Sequence, residues 1–77
     1  MSGHFADVVV HVNETLDEES LRILEDEMYG KIGVMAVGHH PRHPHLLKVD
    51  YDAKVVRPEE FLKPIQQRGL HAQLVGF

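Results

Sequence analysis

The sequence predicts an α+β sandwich in the order strand, helix, strand, strand, helix, strand. Four short segments alternate apolar and polar residues at a period of two, and the two segments that separate them carry apolar residues at helical spacing. A length of 77 residues bounds the chain to a single domain, 1–77. Two amphipathic helices on one face of a four-stranded antiparallel sheet, in the order 4-1-3-2, bury these stripes most economically; this is the ferredoxin-like βαββαβ arrangement.

Phe5 to Val12 reads as the first strand, with Val8, Val10 and Val12 on its apolar face and His11 on the other. Thr15-Leu16-Asp17-Glu18 fits a capping box, so a helix is expected from about Leu16 to Tyr29. Leu21, Leu24 and Met28 form its core stripe, and Asp17, Glu18 and Glu19 favour the positive end of its dipole. Gly30 and Gly33 close it. Val34 to Gly38 is the second strand, with Met35 and Val37 expected on one face, and Leu46 to Asp52 is the third, with Leu47, Val49 and Tyr51 inward. Pro58 opens a second helix, to which Phe61, Leu62 and Ile65 give an apolar side. Pro64 is expected to kink that helix and Gly69 to end it. His71 to Phe77 supplies the last strand. Tyr29 and Tyr51 read as partly buried structural residues.

Composition narrows the function classes. The 8 basic and 12 acidic residues leave a formal charge of −4, which disfavours nucleic acid and acidic membrane surfaces as partners. No apolar run approaches the roughly 20 residues that span a bilayer. The N-terminus lacks a basic start followed by an apolar stretch, so a cytoplasmic location is expected. The chain contains no cysteine, which removes disulfides, thiolate ligands and cysteine nucleophiles together. No enzyme site is evident: there is no glycine-rich phosphate loop, and Ser20 has no persuasive base near it in sequence. The acidic segment Asn13 to Glu18 would repel phosphate where an acylphosphatase needs an arginine-bearing loop.

Val49-Asp50-Tyr51-Asp52, Arg57-Pro58-Glu59-Glu60, Ile65-Gln66-Gln67-Arg68-Gly69-Leu70-His71-Ala72 and the Gly33-Val34 step together resemble the heavy-metal-associated domains of copper chaperones and metal-transporting ATPases. The resemblance covers nearly the whole chain and implies the same fold. Counting back from Gly33-Val34 places Asp17 and Ser20 where that family carries its Cys-x-x-Cys pair, Thr15 where it usually has methionine, and Leu70 where it has an aromatic residue. A carboxylate and a hydroxyl do not replace thiolates for soft Cu(I), so copper-chaperone activity does not carry over.

The seven histidines are the remaining chemical signal. Four lie in His39-His40-Pro41-Arg42-His43-Pro44-His45, which reads as the connection between the second and third strands. In the expected topology this connection, Asn13 to Glu19 and Gly69 to His71 share one end of the sheet. His39, His40, His43, His45 and His71 are thus candidate ligands for a borderline divalent ion: Zn(II), Ni(II), Cu(II) or Co(II). Pro44 between His43 and His45 points both side chains to one side of an extended backbone. A solvated hairpin rich in His and Pro explains the same residues without metal. His11 reads as a sheet-face residue, solvated or in a dimer contact, and His4 as terminal. The leading expectation is a non-catalytic metal-binding or metal-sensing domain. Its rival is a metal-free protein-interaction module that meets a protein partner or a second copy through the sheet face (Val9, His11, Lys48 and Asp50) or an edge strand.

Overall fold

The computed structural model describes residues 4–75. Strand β1 spans Phe5–Val12, helix α1 Glu18–Tyr29, β2 Val34–His40 and β3 His43–Asp52. A 3-10 turn over Pro58–Leu62 runs into the short α2, Lys63–Gln66, and β4 spans Ala72–Val75. The sheet order is β2-β3-β1-β4 with every neighbour antiparallel, the expected 4-1-3-2 read from the opposite edge.

Register explains the core. Val8 lies opposite Val49 and Val10 opposite Leu47, so the inward stripes of β1 and β3 fall on one face. Leu21, Leu24 and Met28 of α1 cover that face together with Phe61 and Ile65, and all are buried. Burying one such side chain contributes about 1.5–3 kcal/mol, a large share of the net stability of a domain this small. Tyr51 and Phe61 meet edge to face with ring centroids 5.3 Å apart. The rear ends of the helices are joined by Arg68, which donates to both carboxylate oxygens of Glu27, one of them at 3.1 Å. These hydrogen bonds from Arg68 hold the Glu27 carboxyl below the ordinary glutamate range.

The structure moves several expected features. Helix α1 begins later than Leu16, because Asp17 rather than Thr15 caps it: the Asp17 carboxylate accepts from the Ser20 N–H at 2.8 Å. That hydrogen bond lowers the Asp17 carboxyl from its ordinary value. Met35 is exposed, because a bulge shifts the β2 register between Val34, opposite Tyr51, and Ala36, opposite Asp50; Val34 and Val37 face the core instead. Tyr29 is exposed, while Tyr51 is buried. Pro64 kinks no continuous helix. The 3-10 turn ends before it, and Pro64 stands in the first turn of α2, where its missing N–H costs nothing. The expected positions Gly76 and Phe77 lie outside the described residues.

The largest revision concerns the histidine segment, which is strand rather than loop. β2 continues to His40 and β3 starts at His43, leaving Pro41 and Arg42 as the turn. His40 faces His43 and His39 faces Leu47, so β2 advances one residue while β3 advances from Leu47 to His43. The surplus on β3 is a bulge that carries Pro44 and His45. Proline tolerates such a position because it has no ladder N–H to lose.

Candidate functional site

Three chain segments meet at one end of the sheet, as expected. His11 of β1 pairs with Leu46 of β3, Val12 pairs with Ala72 of β4, and the Asn13 N–H donates to the His71 carbonyl at 2.8 Å. A Schellman turn delivers His71 there. The Gly69 N–H donates to the Gln66 carbonyl at 2.9 Å and the Leu70 N–H to Ile65 at 3.2 Å, with Gly69 at φ +75°.

Glu14 then holds His71 twice. Its Oε1 accepts from the His71 backbone N–H at 2.9 Å, and its Oε2 accepts from Nδ1 at 2.6 Å. The ring hydrogen bond, followed by the backbone one, pulls the Glu14 carboxyl below its ordinary value.

The other imidazoles form a row across the strands. His40 and His43 have ring centroids 5.0 Å apart, His43 and His45 5.8 Å, and His45 and His11 5.0 Å. His11 and His45 stand nearly perpendicular, at 86°, and are half-buried, whereas His40 and His43 are exposed. His11, Asn13, Glu14, Pro44 and His45 border a groove of about 290 Å³. His39 lies elsewhere. Opposite Leu47 in register, it belongs to the helix-facing side, where its Nδ1 meets Glu25 of α1 at 2.7 Å.

Of the five residues predicted from sequence, the fold therefore brings His40, His43 and His45 side by side, ties His71 to Glu14 and sends His39 to α1. Among the described residues, no three His, Asp or Glu side chains are arranged around one point as a metal site. Sequence reasoning left out His11, which closes the row. Its outward position follows from strand alternation, but its proximity to His45 depends on the β1–β3 register and on the bulge.

Hydrogen bonding decides which ring nitrogens are free. An ionised carboxylate only accepts, so His39 and His71 donate from Nδ1, and their neutral rings keep the Nε2 lone pair. His11 has its Nδ1 3.2 Å from Asn13 Oδ1, which likewise leaves Nε2 unused. His40 is the opposite case: its Nδ1 accepts from the Arg42 N–H at 3.1 Å, so its neutral ring carries the proton on Nε2. His40 has no free lone pair while that bond stands.

The fold is shared with solved heavy-metal-associated domains. Oxidized MerP from Ralstonia metallidurans CH34 superposes with a TM-score of 0.80 at 12% identity, over 94% of this chain and 99% of that one. A copper binding domain from HMA7, a P-type ATPase, gives 0.78 at 17% identity, over 91% and 93%. The putative copper-ion-binding protein from Bacillus anthracis str. Ames gives 0.79 at 18%, over 94% and 100%. At these identities the likeness establishes the fold. No family profile matches the sequence, and no curated protein matches it significantly. The chain has this fold without a Cys-x-x-Cys motif, because it has no cysteine.

Proposed function

We propose that this domain is a non-catalytic, cytoplasmic metal-handling module that binds a borderline divalent transition ion, such as Zn(II), Ni(II), Cu(II) or Co(II), through imidazole nitrogen at the loop end of the sheet. The observation that carries this reading is the row of rings His43, His45 and His11, spaced 5.0–5.8 Å. Two imidazoles on one tetrahedral ion, with nitrogen about 2.0–2.1 Å from the metal, have ring centroids roughly 5 Å apart. The Glu14 carboxylate on His71, at the same end of the sheet, supports the same reading, since a histidine ligand usually donates its second ring N–H to such a group. Imidazole suits borderline ions and suits Cu(I) poorly where thiolate is absent.

The reading is tested by titrating Zn(II), Ni(II) and Cu(II) against the imidazole signals. His43 and His45 respond before His4, and replacing both with Ala removes most of the affinity. Retention of parent affinity by that double variant, still folded, excludes the row as the site.

A second reading rests on a different observation. The open sheet face carries a groove of about 430 Å³ lined by Val9, Ala36, Leu46, Lys48 and Asp50, a surface fit for a protein partner without metal. In that case no divalent ion perturbs the imidazoles at stoichiometric concentration.

A further inference from the structure

We infer that His11 and His45 form half of a zinc site and that a second copy of this chain supplies the other half. The inference rests on the imidazole reading above and names the partner that completes it.

Four observations lead there. His11 sits on β1 and His45 in the bulge of the adjacent central strand β3, and both are half-buried, so the β1–β3 register and the bulge together set their positions. Their rings are 5.0 Å apart at 86°, the separation of two imidazoles that share an ion. Asn13 Oδ1 beside His11 Nδ1 orients that ring and leaves Nε2 to bind. The neighbouring rings complete the site poorly: His40 spends its Nδ1 lone pair on the Arg42 N–H, the exposed His43 stands further off, 5.8 Å from His45, and no third His, Asp or Glu among the described residues is arranged with the pair.

Zinc in a closed site takes four ligands in tetrahedral array, and one chain offers two. A twofold axis through the ion doubles the pair to four nitrogens, the symmetry most homodimers adopt. The second copy would also cover apolar surface. Val9 and Leu46, which border the pair on β1 and β3, line the groove on the open sheet face. Charge makes the assembly depend on metal. Each copy carries a formal charge of −4, so two copies repel, and a divalent cation between them offsets part of that repulsion.

The test is sedimentation and calorimetry with Zn(II) alone. The expected result is a monomer without metal, a dimer with it, and one ion per two chains. His11→Ala and His45→Ala each abolish the dimer and weaken Zn(II) binding at least tenfold, while His4→Ala changes neither. His11→Gln keeps a polar side chain on the strand and shows the same loss, which separates lost ligation from misfolding. A monomer that binds one ion per chain overturns the bridge and leaves the imidazole reading standing. A dimer that forms without metal, or one that survives His11→Ala, also overturns the bridge. No Zn(II) binding at all overturns both.

Discussion

Glu14 and His71, 57 positions apart in the chain, are joined by two hydrogen bonds from one carboxylate, to the ring Nδ1 at 2.6 Å and to the backbone N–H at 2.9 Å. This pair ties the β1–α1 connection to the start of β4, and it fixes which nitrogen of His71 faces outward. Its formation depends on the sheet, because Asn13 and His71 are brought together by the pairing of Val12 with Ala72.

The Glu14 carboxyl is held below the ordinary glutamate value of about 4.3, first by the His71 ring and then by its amide. A depressed carboxyl stabilises the fold above its unfolded value, and that contribution is lost as pH falls through its lower folded value. Carbon-detected titration should therefore place the Glu14 midpoint below 4.3. Glu14→Gln should remove the acid-range contribution and reduce exchange protection at the His71 amide. A midpoint at or above the ordinary value contradicts the pairing.

Ring tautomers offer a second check. Above the imidazole range, nitrogen spectra should show His39 and His71 with the proton on Nδ1, and His40 with it on Nε2. Finding His40 protonated on Nδ1 would rule out its bond to the Arg42 amide and return it to the set of free ligands. Bound divalent metal should in turn be released on acidification, since imidazolium cannot ligate, with core methyl signals unchanged.

Asp17 and Ser20 lie one helical turn apart at the start of α1, with the Asp17 carboxylate on the Ser20 amide. Introducing Asp17→Cys with Ser20→Cys should create a Cu(I) site measurable by chelator competition. The same change should lower the melting temperature through loss of the cap, whereas Asp17→Asn should keep most of it. A folded double variant without added Cu(I) affinity contradicts the alignment.

Backbone geometry separates two glycines. Gly33 has φ +95°, and an added Cβ would stand 2.9 Å from Val55 Cγ1, so Gly33→Ala should cost more than about 1 kcal/mol. Gly38 has open space around it, and Gly38→Ala should change stability by less than about 0.5 kcal/mol. Leu24→Ala, at a fully buried position, should cost about 2–5 kcal/mol. Denaturant unfolding of the three variants ranks them, and equal effects at Gly33 and Gly38 would contradict the backbone assignment.

The fold was legible in the sequence because it rests on periodicity. Val8, Val10 and Val12, then Leu47, Val49 and Tyr51, state which strand face is apolar, and Leu21, Leu24 and Met28 state the same for the helix. The absence of a thiolate site was equally legible, since it needs only the absence of cysteine. Tertiary structure decided the rest. Whether Met35 or Val34 turns inward depends on a bulge, a mismatch between two strands that neither shows alone. The capping choice between Thr15 and Asp17 was settled by the folded backbone, where the Asp17 carboxylate meets the Ser20 amide. The histidines show the division most clearly. Their number and clustering are sequence facts, but their grouping is set by register: it sends His39 to Glu25, gives His71 to Glu14 and brings His11, which sequence reasoning left out of the ligand set, beside His45. A side chain's neighbours across a sheet are fixed by pairing between distant segments, and that pairing is settled by packing of the whole domain rather than by any local pattern.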